Sequence, residues 1–176
     1  MGCSVFEDGG FRLRHCLILS FMALFFMTHC QSDCVRRCGL DPVEVDLKRY
    51  KKQREELSQE TNELMSRVNE FEDKVFVNQR AALDLLRADL TERASVFARK
   101  FAGIRVETDV VREVYEKELE GYKNLAKAYR VLQNAFETNH AASIREGLKL
   151  REKGLRLVRG AEMELNKLER KYWRHP

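Results

Sequence analysis

Val43-Glu44-Val45-Asp46-Leu47-Lys48-Arg49-Tyr50 opens the stretch whose reading decides the fold. Its apolar residues continue through Leu57, Leu64, Val68, Phe71 and Val75 in alternating steps of three and four. Arg54 and Thr61 stand where that pattern asks for apolar side chains. A repeat of this period puts one face of a helix against a partner, as in a coiled coil or a helix bundle. Charged residues fill the positions between, several of them at i,i+4 spacing that supports an exposed helical face.

Working outward, the apolar stripe continues on a shifted phase through Leu83, Leu86, Leu90, Phe97, Phe101 and Ile104. Phe76-Val77-Asn78 is the candidate kink between the two phases. With no Gly or Pro there, a single helix over 43–102 is also open, and it would run about 90 Å. Gly103 then suits a helix end, and Thr108 or Asp109 suits the cap of the next helix. A third stripe runs Val111, Val114, Tyr115, Leu119, Tyr122, Leu125, Tyr129, Leu132 and Phe136. Its tyrosines recur every seven residues, which predicts packed rings with hydroxyls reaching the rim. Thr138 and Asn139 mark a turn. The last helix carries Ile144, Leu148, Leu155, Val158, Leu165, Leu168 and Tyr172. Gly147, Gly154 and Ala161 lie seven apart on it, a spacing of small residues that lets a neighbouring helix approach closely. The fold class expected is all-α: an elongated antiparallel three- or four-helix bundle with coiled-coil character over 43–176.

Of the 176 residues, 34% are charged, above the usual quarter. The charge is balanced over 43–142 but not after it. Residues 143–176 hold ten basic and five acidic side chains. The basic surface expected there is Arg145, Lys149, Arg151, Lys153, Arg156 and Arg159. No phosphate-loop pattern, H-E-x-x-H or G-x-S-x-G occurs. The four histidines are scattered at 15, 29, 140 and 175. The expectation is therefore a protein that is not an enzyme, with no cofactor, no metal site and no nucleic-acid partner.

Before the charged body lies the one strongly apolar run, residues 17–27, preceded by Arg12 and Arg14. A bilayer span needs about 20 apolar residues, whereas a signal peptide needs 7–15. Residues 1–29 read as a signal peptide or membrane anchor, and 30–42 as a polar tether. The run ends in Met27-Thr28-His29-Cys30, which resembles a bacterial lipobox. That family places a small residue just before the cysteine, where this chain has His29. The resemblance implies removal of the signal and a diacylglycerol on Cys30. It also implies residence in the bacterial cell envelope, on the outer-membrane or periplasmic side, since Gln31 rather than Asp follows the cysteine. All five cysteines precede residue 39, so no disulfide framework holds the body. Cys34 and Cys38 remain a candidate disulfide in an oxidising compartment.

The functional expectation is an envelope-anchored lipoprotein serving as a structural, scaffold or protein-interaction module. Its partners would be the membrane, through the lipid or the apolar helix, and another protein or a second copy through the helices. Two alternatives stand beside it: a periplasmic holdase-type chaperone, and an uncleaved single-span protein with a helical extracytoplasmic domain.

Overall fold

A computed structural model describes residues 41–173. They are helical almost throughout, with no strand among them. The elements are α1 (Pro42–Glu56), α2 (Ser58–Val75), α3 (Gln79–Leu85), a π-helical turn (Leu86–Leu90), α4 (Thr91–Phe101), α5 (Asp109–Glu137) and α6 (Ala141–Tyr172).

The sequence seam from Val43 to Val75 faces inward. Leu47, Tyr50, Leu64, Val68, Phe71 and Val75 are buried. The two interruptions frame a break in the helix. Leu57 leaves helical geometry at φ −98°, ψ 3°, and the Leu57 N–H donates to the Arg54 carbonyl instead of continuing the ladder. Neither Pro nor Gly causes this kink.

The 90 Å rod over 43–102 does not form. The chain stops at Val75 and turns through Phe76 and Val77, and the Asn78 side chain caps α3 by accepting from the Ala81 N–H at 3.0 Å. A second device corrects the phase of the stripe. The π-helical turn at Leu86–Leu90 admits one extra residue and rotates what precedes it. Ala82 and Leu85 therefore face the core on α3, while Leu83 is only partly covered.

Ion pairs set the directions. Glu60–Lys100, Glu63–Arg93 and Arg67–Asp89 run α2 against α4 and the π-helical turn before it. Arg87–Glu137 and the Phe101–Tyr115 ring contact run α3–α4 against α5. Lys117–Glu164 and Lys153–Glu120 run α5 against α6. Taken in order, α2, α4, α5 and α6 thus each run antiparallel to the one before, while α1 and α2 run the same way along α5.

Glycines bring α5 and α6 together. A Cβ on Gly154 would sit 2.9 Å from the Gly121 carbonyl oxygen, and one on Gly121 would sit 3.0 Å from that of Gly154. The small-residue spacing Gly147, Gly154, Ala161 does lie buried in this contact. Its counterpart Gly121 on α5 was not legible as part of it. The turn between the two helices closes with Asn139 at φ 51°, its N–H reaching Phe136 and the next N–H, of His140, reaching Ala135. That pairing satisfies the last carbonyls of α5. His140 then caps α6 through its ring Nδ1, which accepts from the Ser143 N–H.

Candidate functional site

The interrupted seam position Arg54 is the centre of a buried charged cluster. Arg54 donates through Nε and Nη2 to Glu118 Oε1 at 3.2 and 3.0 Å. Nη2 also reaches Glu162 Oε2 at 2.6 Å. The Tyr50 hydroxyl donates to Glu118 Oε2 at 2.6 Å, and that of Tyr122 to Oε1 at 3.4 Å. Three helices contribute: α1 supplies Tyr50 and Arg54, α5 supplies Glu118 and Tyr122, and α6 supplies Glu162.

Glu118 is 1% exposed. An unpaired carboxylate at that depth would be prohibitive, so the guanidinium and the two hydroxyls decide whether it can stay. Burial pushes the Glu118 carboxyl above its ordinary value, against the pull of Arg54 and the hydrogen bond from Tyr50. Burial works against the Arg54 cation too, but Glu118 and Glu162 outweigh it and hold the proton more firmly than usual. The tyrosines beside the carboxylate are raised well above their ordinary range, first by burial and then by the Glu118 charge. With Oε1 and Oε2 both occupied, Glu118 holds a charge in place rather than presenting a free base.

A hollow of about 200 Å³ opens beside the cluster at the Leu57 kink, lined by Lys51, Arg54, Ser58, Thr61, Phe101 and Glu118 among others. Below it lies an aromatic layer. Phe97 and Phe101 sit 4.6 and 4.9 Å from the Tyr122 ring, and Phe71 lies 5.6 Å from Tyr129. These rings are core, as their period predicts. Of the three tyrosine hydroxyls only that of Tyr115 reaches the rim, donating to the Ala102 carbonyl at 3.2 Å; Tyr122 ends on Glu118, and Tyr129 Oη is buried without a hydrogen-bond partner among the described residues.

A second buried carboxylate ties α1 to the start of α5. Asp46 Oδ2 accepts from the Glu107 N–H, the Thr108 N–H and the Thr108 hydroxyl at 2.8–3.0 Å. Thr108 does stand at the N-cap of α5, yet its hydroxyl serves Asp46 instead of the helix.

Of the six residues read as basic surface, Arg145, Lys149, Lys153, Arg156 and Arg159 are exposed. Lys153 pairs with Glu120. Arg151 is turned inward, its side chain only 13% exposed, against Glu72 and the Phe71 ring. It sits on the flank of α6 that faces α2, which the charge count alone cannot distinguish. Cys30, Cys34, Cys38 and the apolar run lie outside the described residues. Among the described residues no group of three or more His, Cys, Asp and Glu is placed to hold a metal ion, and no helix is long and apolar enough to cross a membrane.

Sequence reading missed Glu118 and Asp46. Glu118 had a visible signal: it falls in steps of three and four between Val114 and Leu125, on the seam of α5, facing the arginine on the seam of α1. Compared with known proteins, the chain matches no family model, no curated protein and no solved structure.

Proposed function

We propose that this is a membrane-anchored helical protein of the bacterial cell envelope, acting as a structural or protein-interaction module. Its body is an elongated antiparallel bundle with coiled-coil character. The observation that carries the reading is the apolar run over 17–27 closing on Cys30, joined to a highly charged helical body. The inward-facing seam of α1 and α2 supports the coiled-coil description. The buried Arg54–Glu118 pair supports a role in fixing which helix faces meet, since buried ionic groups are better suited to specifying a register than to adding stability.

Fractionation tests the anchor. The native chain should partition into the detergent phase with the membrane fraction, and Cys30→Ser should move it to the aqueous phase. Native chain recovered as a free aqueous protein would contradict the reading. Cys30→Ser that stays in the membrane would favour an uncleaved apolar anchor over a lipid.

One observation favours a second reading, a holdase-type chaperone. Phe76 and Val77 are adjacent and 77% and 87% exposed at the turn before α3, a small apolar tip suited to an unfolded client. Phe76→Ser with Val77→Ser should then abolish suppression of client aggregation, measured by light scattering. An unchanged curve removes the reading.

A further inference from the structure

The outer face of α6 carries the longest row of unpaired basic charge among the described helices. At 3.6 residues per turn, Arg145, Lys149, Arg156, Arg159, Lys167 and Arg170 fall on one arc of about 80°, opposite Gly147, Gly154 and Ala161. All six are exposed, and none forms an ion pair among the described residues. Elsewhere most cations are paired, among them Arg49–Glu107, Arg67–Glu70, Arg87–Glu137, Arg93–Glu63 and Lys100–Glu60, while Lys52, Arg80, Arg105, Lys123, Lys127 and Arg130 are exposed without an ion pair among the described residues. Glu152 is the one acidic residue on the arc. At its centre stands Met163, 62% exposed. The row runs from Arg145 to Arg170 on this 32-residue helix and is about 38 Å long.

We propose that this face docks on an anionic phospholipid bilayer. The charge is complementary: a row of uncompensated cations meets a surface of headgroup phosphates. The shape agrees, because a straight convex row without groove walls can bring all six cations to a flat anionic plane. A nucleic-acid duplex is a poorer match, since its phosphates wind away from a straight row. Met163 decides in the same direction. A flexible apolar side chain amid cations gains nothing against phosphate, yet it can enter the boundary between headgroups and acyl chains, as interfacial helices do. The docking needs no lipid on Cys30 and so goes beyond the anchoring reading.

The test uses the full chain with Met163→Trp and Trp173→Phe, which leaves one tryptophan, at position 163. It is reconstituted into phosphatidylcholine vesicles and into vesicles containing phosphatidylglycerol, each with a headgroup nitroxide quencher. Emission should be blue-shifted and quenched on the anionic vesicles alone and released by 1 M salt. Adding Lys149→Ser, Arg156→Ser and Arg159→Ser should lower the docking equilibrium constant on the order of 100-fold, about fivefold per cation. These side chains have no partner among the described residues, so circular dichroism should be unchanged. Equal quenching on neutral vesicles would overturn the proposal. So would a response to duplex DNA together with none to anionic lipid. Flotation with the neutral vesicles reads the N-terminal anchor separately, so failure of one claim does not imitate failure of the other.

Discussion

Arg54 and Glu118 are each unfavourable alone and tolerable together. Removing one partner strands the other. Arg54→Leu should destabilise the body by about 3–5 kcal/mol, because it leaves Glu118 buried without its cation. Glu118→Leu should cost less, since Arg54 is partly exposed and keeps Glu162. The double replacement should recover most of the loss or exceed the native stability. Urea denaturation of the four proteins forms the cycle; additive losses would show that the pair is not coupled. The pair also sets a pH dependence. A carboxyl whose folded value is raised favours the folded state at low pH, and that contribution is lost as pH rises through the folded value. Glu70, Glu120 and Glu137 are lowered instead, chiefly by hydrogen bonds from Lys74, Lys153 and Arg87. Their contribution is present above the ordinary glutamate value of 4.5 and lost as pH falls through their depressed values. Stability should therefore rise as pH falls through the raised Glu118 value toward that ordinary value, and fall below it. Glu118→Gln should flatten the upper limb only. A native profile that falls steadily from neutral pH would contradict the assignment.

At the scale of elements, the three glycines of α6 separate two meanings of one residue type. Gly154→Ala meets backbone, the Gly121 carbonyl at 2.9 Å, and should cost about 1–3 kcal/mol through forced separation of the helices. Gly160→Ala meets only the Lys117 side chain at 3.0 Å, which can swing aside. Helix propensity then prevails, and stability should rise by up to about 1 kcal/mol. Gly147→Ala lies between, against the Leu132 side chain at 2.6 Å. Thermal unfolding of the set should rank them in that order; a stabilising Gly154→Ala would show that α5 and α6 are not held at glycine contact. At the start of α3, Asn78→Ala should remove a cap worth about 1 kcal/mol, seen as early hydrogen exchange at Gln79–Leu85. Unchanged exchange would mean that α3 is held by packing alone.

The seams of α1–α2 and α5 were legible because periodicity reports directly which side of a helix is dry. The turn at Asn139 was legible because few residues tolerate positive φ. The Leu57 kink was not, since no breaker residue marks it, and the partner of the neighbouring Arg54 lies 64 positions away. The π-helical turn was seen only as a slip in phase, because one added residue changes the direction of every side chain before it without changing composition. Glu118 stood on the seam of α5 but passed for one more of the exposed glutamates of that helix. In each case a single chain shows local preference, while the decisive partner lies on another helix.

For the molecule as a whole, the antiparallel course of α2, α4, α5 and α6 makes a body about as long as its last helix, near 48 Å. X-ray scattering of the body over 43–173 should give a maximum dimension consistent with that. A dimension near 90 Å from residues 43–102 alone would restore the unbroken rod. The central claim concerns where such a body is held. Mass spectrometry of the chain purified from the membrane fraction tests it most directly. The expected result is an N-terminus at Cys30 carrying diacylglycerol. An N-terminus upstream of an unmodified Cys30, on a chain found in the aqueous fraction, would contradict it.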